Sequence, residues 1–216
     1  MEFSLSELND VLGNIRNLSA GNRDFLNFKN ISIDSRTLLK NDLFIALEGE
    51  NFDGHSFLPN VLDKGVKSVV IKKGMQRLLP SDFPYWVVND TLEAFQKLAL
   101  LKRKKLNIPI VAITGSVGKT TTKEMIGGVL NKLGRIKLSH ANFNNEIGVG
   151  LTILATDIED KALVLEMGMR GIGQIENLSK YSEPDIAVIT NIGTAHIGLL
   201  GSKKILHMQS VKLVSS

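Results

Sequence analysis

One lysine, two threonines and two glycines share the seven-residue stretch Gly115-Ser116-Val117-Gly118-Lys119-Thr120-Thr121. These residue types suit phosphate chemistry. Gly115 and Gly118 let main-chain N–H groups approach phosphate oxygens with no Cβ between them. Lys119 offers a point charge for β- and γ-phosphates, and the Thr120 hydroxyl a ligand for Mg²⁺. The spacing, G-x-x-G-K-T, is two residues shorter than the usual G-x-x-x-x-G-K-[ST]. The setting separates it from an ordinary glycine turn: the β-branched run Ile110 to Thr114 precedes it, and the helix-compatible segment Lys123 to Leu133 follows. A strand–turn–helix order aims several N–H groups and the positive end of a helix dipole at one point.

Three further clusters follow apolar, strand-like runs, at the ends where open α/β sheets bind ligands. After Ile136–Leu138 comes His140-Ala-Asn142-Phe-Asn144-Asn145-Glu146. Its donors and acceptors suit a polar substrate or a metal's water shell, and equally a turn-rich loop. Glu166 follows the run Ala162–Leu165. An unpaired carboxylate is costly to bury, so Glu166 either holds Mg²⁺ opposite the phosphate loop or stands in a structural salt bridge. After Ile186–Thr190 come Asn191 and His196. The histidine reads as a ligand for a second metal, a contact for an activated acyl group, or a structural residue.

The elements that must position these groups alternate. Helices are predicted at Thr91–Lys105, at Lys123–Leu133 with Gly134 as cap, and at Gln174–Lys180, between the strand candidates already named. Helices alternating with continuous apolar strands indicate a parallel sheet covered on both faces. Ahead of them lie a helix at Ser4–Leu12, strands at Ile31–Ile33, Leu43–Leu47, Ser68–Ile71 and Trp86–Val88, and a helix at Ser56–Lys64 closed by Gly65. The expected fold class is α/β: a small N-terminal domain over residues 1–89, then a phosphate-loop, parallel-sheet domain over 90–216.

Bulk composition narrows the partners. The 216 residues are 43% hydrophobic and 22% charged, with a net charge of +4, as in an ordinary globular protein. No apolar run approaches the ~18 residues a membrane span needs. Met1-Glu-Phe-Ser-Leu-Ser-Glu7 has no signal-peptide core, and zero cysteines exclude disulfides and thiolate metal sites, so the cytoplasm is the expected compartment. The modest positive charge suits small anionic substrates without demanding nucleic acid. Lys102-Arg-Lys-Lys105, at the end of a helix, reads as a solvated run complementing the helix dipole.

Taken together, these motifs resemble the Mur ligases, which build the peptidoglycan stem peptide. Gly115 to Thr121, Glu166 in Leu-Val-Leu-Glu-Met-Gly, and Asn191 to His196 carry the resemblance. Ala141-Asn-Phe-Asn-Asn-Glu-Ile-Gly-Val149 with Leu151-Thr-Ile-Leu154, and the stretch from Glu166 to Ile175, are similar to signatures of the family's D-alanyl-D-alanine-adding members. Asp34-Ser35-Arg36, Asp42 to Leu47 and Asp53-Gly54-His55-Ser-Phe57 resemble the family's UDP-sugar-binding domain. Gly150 stands where the family usually has proline.

The resemblance implies an ATP-dependent acid–D-amino-acid ligase. The carboxylate of UDP-MurNAc-tripeptide would attack the γ-phosphate, giving an acyl phosphate from which the amine of D-alanyl-D-alanine displaces phosphate. It implies ATP contacts from Gly115, Ser116, Val117, Gly118, Lys119, Thr120, Thr121 and Asn191, and catalytic roles for Lys119, Glu166 and His196. Thr120, Glu166 and His196 would hold Mg²⁺. Asp34, Ser35, Arg36, Asn142, Asn144 and Asn145 would meet substrate. The implied protein is a cytoplasmic monomer without nucleic-acid partners or membrane insertion.

Members of the family are much longer, so the resemblance implies a fragment. It would hold the UDP-sugar domain and part of the ATP-binding domain, lack the C-terminal domain, and not turn over. The family's metal-bridging lysine falls at position 210, where this chain has Ser210. For one choice of synonymous codons, a single added A in the codons of Lys203 and Lys204 turns the tail into KKNIAYAKCEIG and restores that lysine. A frameshifted chain is therefore expected, with simple C-terminal divergence as the alternative. Two further readings stay open: a residual nucleotide- or UDP-sugar-binding fragment, and a related ligase of the folylpolyglutamate synthase type.

Overall fold

The structure, a computed structural model, describes residues 2–19, 26–49, 52–140, 142–169 and 171–192. The chain divides into two compact units, the first reaching Leu98 and the second starting at Ala99. That cut falls inside a helix, some residues beyond the boundary expected near residue 90. Among the described residues no helix is long and apolar enough to cross a membrane.

The first unit opens with α1 (Leu5–Leu12), begun by a capping box in which Ser4 and Glu7 satisfy each other's main-chain N–H groups. Leu8 and Leu12, one turn apart, are its buried face. A sheet of four parallel strands follows: β1 (Asn30–Ser32), β2 (Asp42–Ile45), β5 (Val69–Lys72) and β6 (Tyr85–Val88), in that spatial order. All four residues of β2 are buried, as for a strand covered on both faces. On β6, Trp86 donates its indole N–H to Asn9 Oδ1 at 3.0 Å, and the same oxygen accepts from Ile15 N–H at 3.1 Å. One asparagine thus fixes the end of α1 against an edge strand.

Between β2 and β5 lie an antiparallel pair, β3 (Glu48–Gly49) with β4 (Phe52–Asp53), a 3₁₀ turn at Gly54–Phe57, and α2 (Leu58–Asp63). A single helix over Ser56–Lys64 was expected. Pro59 sets the start of the α-helix, and the turn before it belongs to Asp53. Asp53-Gly54-His55 is a structural lock. A Cβ on Gly54 would sit 2.7 Å from the Leu47 carbonyl oxygen and 2.9 Å from its nitrogen, both backbone atoms that cannot move aside. His55 is 2% exposed; its Nε2 accepts from Lys72 N–H at 3.0 Å, so the ring proton is on Nδ1, which donates to Asp53 Oδ1 at 2.6 Å. His55→Leu keeps most of the volume and leaves the Lys72 amide without an acceptor. The expected cost is about 1–3 kcal/mol, read as a lower urea midpoint at an unchanged slope.

The helix that spans the cut, α3 (Thr91–Lys105), leads to β7 (Ile110–Thr114) of the second unit, all five residues of which are buried. β7 lies inside a parallel sheet of order β10-β7-β9-β8, with β8 at Ile136–Leu138, β9 at Ala162–Glu166 and β10 at Ile186–Ile189. Three helices connect them: α4 (Lys119–Leu130), α5 (Glu146–Leu154) and α6 (Gln174–Ser182). Ile126 and Leu130 of α4 pack on Val111, Ile113 and Val164 of the sheet. The register pairs Ile113 with Glu166 and Thr114 with Ile189, so three strands end level with one another. The helix expected from Lys123 starts four residues earlier, directly at Lys119, with Gly118 in the left-handed conformation as its N-cap.

The basic run Lys102–Lys105 corrects the sequence reading. Lys102 is 5% exposed, and burial pushes its pKa down while Asp157 and Asp160 oppose the shift. Arg103 donates to the carbonyls of Ser182 and Glu183 and to Asp185 Oδ2, which also accepts from Ile110 N–H at 2.7 Å. Long aliphatic stems let these two cations lie along the protein, and the Arg103 head finds its acceptors at the C-terminal end of α6.

Candidate functional site

The phosphate-loop candidate is shaped by two glycines and by the end of β10. Gly115 has φ 139° and Gly118 φ 85°. A Cβ on Gly115 would meet Thr190 Oγ1 at 2.2 Å and Asn191 main-chain atoms at 3.0–3.1 Å. Thr190 and Asn191 in turn hold the loop. The Thr190 hydroxyl donates to the Val117 carbonyl at 2.6 Å, Asn191 O accepts from Ser116 N–H at 3.2 Å, and Asn191 Oδ1 accepts from Val117 N–H at 3.0 Å. Asn191, expected among ligand contacts, therefore shapes the loop.

The ladder of α4 begins with Thr122 N–H on the Gly118 carbonyl at 2.9 Å. Amides of the preceding turn have no partner within the helix, which makes its start a candidate anion site. Val117 is 62% exposed, and Thr121 is exposed in the first turn. Lys119 folds back, its ammonium donating to the Gly115 carbonyl at 2.7 Å. A lysine held by a weak carbonyl partner at a helix N-terminus is placed to exchange that partner for a phosphate oxygen.

Glu166 ends β9 and is 6% exposed. Its Oε2 accepts from the Thr120 hydroxyl at 2.7 Å and its Oε1 from Asn144 Nδ2 at 3.1 Å. None of the ion pairs among the described residues involves it, so the salt-bridge alternative finds no support there. A buried carboxylate with a hydroxyl beside it, facing the phosphate loop and lacking a cation among the described residues, suits Mg²⁺, which takes one or two carboxylates and keeps waters and phosphate oxygens. No group of three or more His, Cys, Asp or Glu gathers among the described residues. His196 lies outside the described residues.

The asparagine loop splits in function. Asn144 reaches Glu166 and its carbonyl accepts from Gly168 N–H at 2.8 Å. Asn145 is the N-cap of α5, its Oδ1 accepting from Gly148 N–H at 2.9 Å. Asn142 is exposed, with φ 67°. In the first unit, Arg36 forks onto Asp34 through Nε at 2.9 Å and Nη2 at 2.7 Å, and its guanidinium holds the Asp34 carboxyl down at about 2. Lys64 Nζ donates to the Arg36 carbonyl at 2.6 Å. Asp34 thus orients Arg36, whose side chain is 86% exposed, while Ser35 is half-buried between them.

Two residues that the sequence reading missed complete the second site. Ser139 Oγ accepts from Glu166 N–H at 2.8 Å, and Lys123, 1% exposed, donates to the Ser139 carbonyl at 2.8 Å. A signal existed: Lys123 stands at helical spacing with Ile126 and Leu130, a cation heading a buried stripe.

Comparison with known proteins gives the family. Residues 113–215 match the Mur ligase middle domain, and residues 27–113 match the Mur ligase family, catalytic domain. The chain belongs to the Mur ligase family. A relative from Synechocystis named UDP-N-acetylmuramoyl-tripeptide–D-alanyl-D-alanine ligase is 45% identical over 196 residues, 91% of this Mur ligase chain and 42% of the relative. The structure of MurF from Acinetobacter baumannii superimposes with a TM-score of 0.87 at 30% identity, covering 100% of this chain and 46% of that one. MurF from Thermotoga maritima in complex with ADP gives 0.78 at 30% identity, covering 88% and 44%. The chain therefore spans less than half the length of these Mur ligases. The phosphate-loop candidate and Glu166 fall within the middle-domain match, and Asp34 to Arg36 within the other.

Proposed function

We propose that this Mur ligase chain binds Mg²⁺–ATP on Gly115 to Thr121 and serves the ATP-dependent joining of D-alanyl-D-alanine to UDP-MurNAc-tripeptide, the reaction for which its relatives are named. Glu166 supports the reading most strongly: a buried carboxylate between the Thr120 hydroxyl and Asn144, with no cation of the described chain beside it. In this reading the amides at the start of α4 bind phosphate oxygens, and Lys119 leaves the Gly115 carbonyl to offset charge on the transferring phosphoryl group. Mg²⁺, when bound, would neutralise charge between the phosphates. Thr120 and Glu166 would hold it, with His196 contributing to a second ion. Asn144 orients the carboxylate, and Thr190 and Asn191 keep the loop in shape.

The substrate side is assigned to the first domain, residues 1–89, with Arg36 oriented by Asp34 and flanked by Ser35 to meet the UDP-sugar. Residues 90–216 carry the nucleotide, and Asn142 and Asn145 lie on a loop facing the acceptor. The tripeptide carboxylate would be activated as an acyl phosphate and trapped by the dipeptide amine.

Isothermal titration of the 216-residue protein with ADP tests the nucleotide site. Binding at least 100-fold tighter in MgCl₂ than in EDTA is expected, a difference of about 2.8 kcal/mol. UDP-MurNAc-tripeptide should bind with or without ADP. Absence of ADP binding at millimolar concentration in Mg²⁺ would remove the reading; with ATP in place of ADP, phosphate release on adding UDP-MurNAc-tripeptide and D-alanyl-D-alanine reports turnover.

A further inference from the structure

Lys123 is buried to 1% exposure in a helical stripe otherwise filled by Ile126 and Leu130. A methionine or leucine would fill that space without an ammonium to desolvate, and a buried ammonium is costly unless its donors are matched. Its partners here are the Ser139 carbonyl at 2.8 Å and Glu124 Oε1 at 3.1 Å, the latter on a side chain 61% exposed. Ser139 is the informative partner, because both of its ends are committed. Its N–H donates to the Val164 carbonyl at 2.9 Å, extending the β8–β9 ladder one step past Leu138. Its hydroxyl then accepts from Glu166 N–H at 2.8 Å, at the point where the ladder has run out of strand.

These bonds close a ring. Lys123 holds the Ser139 main chain, Ser139 holds the Glu166 main chain, and the Glu166 carboxylate accepts from Thr120. Thr120 and Lys123 are three residues apart on α4, hence on the same face. The ring sets the separation between the Thr120 hydroxyl and the Glu166 carboxylate, the two groups proposed above to share Mg²⁺.

We infer that Lys123, acting through Ser139, is a positioning residue for the divalent-cation site: it fixes how Glu166 and Thr120 face each other without touching cation or nucleotide. The inference rests on the proposed Mg²⁺–nucleotide reading. Outer partners that orient metal ligands typically change metal affinity 10–100-fold when removed.

The test uses the 216-residue protein and ADP as probe, titrated in MgCl₂ and in EDTA, for wild type, Lys123→Met, Lys123→Arg, Ser139→Ala and the double variant Lys123→Met/Ser139→Ala. The quantity read is the ratio of the two dissociation constants, the Mg²⁺ enhancement. Lys123→Met and Ser139→Ala should each lower it about tenfold while EDTA affinity stays within about twofold. The double variant should lose little more than either single one, because both act on one chain of bonds. Lys123→Arg, which keeps the cation and its donors, should recover part of the enhancement. An enhancement unchanged in Lys123→Met and Ser139→Ala overturns the inference, as does an equal loss in EDTA and in Mg²⁺, which would mark general damage to the loop. Should Lys123→Met fail to fold, Ser139→Ala, which removes one hydroxyl, decides alone. A wild-type protein without Mg²⁺ enhancement would instead remove the nucleotide reading itself.

Discussion

Glu166→Gln is expected to weaken Mg²⁺-dependent ADP binding about 100-fold, or close to 3 kcal/mol, while leaving ADP affinity in EDTA almost unchanged. The shape of the residue is kept, so the effect isolates charge. Glutamine can still accept from the Thr120 hydroxyl through its carbonyl, replacing the 2.7 Å contact at Oε2. Its amide would meet the Asn144 amide nitrogen, now 3.1 Å from Oε1, and Asn144 must turn its carbonyl inward to restore the bond. That flip is local and inexpensive. What is lost is the Glu166 carboxylate, without which a hard divalent cation keeps only the Thr120 hydroxyl from the described residues. The same substitution removes a charge that is 6% exposed and has no cationic partner among the described residues. Unliganded stability should therefore rise, by about 1 kcal/mol. A protein that binds metal less well and melts later is the signature of a site held against its own stability. A Glu166→Gln protein that melts earlier and keeps its Mg²⁺ enhancement would make Glu166 a structural residue.

Much of this site was legible because its chemistry is local. Gly115 to Thr121 declares itself by residue type and by the strand and helix on either side, and α3 and β7 begin and end where periodicity and flanking residues put them. The unread parts depend on contacts between residues far apart in the chain. Helix α5 went unassigned because Glu-Ile-Gly-Val-Gly-Leu carries two glycines, poor helix formers, just after an asparagine-rich loop. The reason for one glycine is spatial: a Cβ on Gly148 would lie 2.4 Å from Phe143 Cα, so the loop can turn back over the helix only if that position is bare. Burial of α5 then outweighs propensity. Lys123 and Ser139 lie sixteen positions apart and meet only when α4 packs beside β8. Asn145 and Asn191 were identified as residues of the site, but their bonds go to backbone amides at Gly148 and Val117, which a sequence does not display. Pattern revealed which residue types gather near the phosphate loop, and packing decides which of them orient others.

Gly115→Ala is expected to destabilise the second unit by about 3–5 kcal/mol and to abolish ADP binding with or without Mg²⁺. Two costs add. The residue sits at φ 139°, a conformation that L-residues adopt only under strain of about 1–3 kcal/mol. The new methyl would also lie 2.2 Å from Thr190 Oγ1, with Asn191 backbone atoms at 3.0 and 3.1 Å behind it. The threonine could rotate away only by giving up its 2.6 Å bond to the Val117 carbonyl, and the Asn191 main chain could yield only by releasing Ser116 N–H. Either movement opens the phosphate loop at the points that hold it closed. Adding Thr190→Ala to Gly115→Ala removes the clash with Oγ1 but neither the φ strain nor the pressure on Asn191. The double variant should recover roughly half of the lost stability and little of the nucleotide affinity. Thr190→Ala alone should melt slightly earlier and bind ADP several-fold more weakly, because the loop keeps Asn191 as its brace. Melting curves of the three proteins separate the contributions. If Gly115→Ala melts with wild type and binds ADP normally, then the approach of β10 to the loop does not shape the nucleotide site.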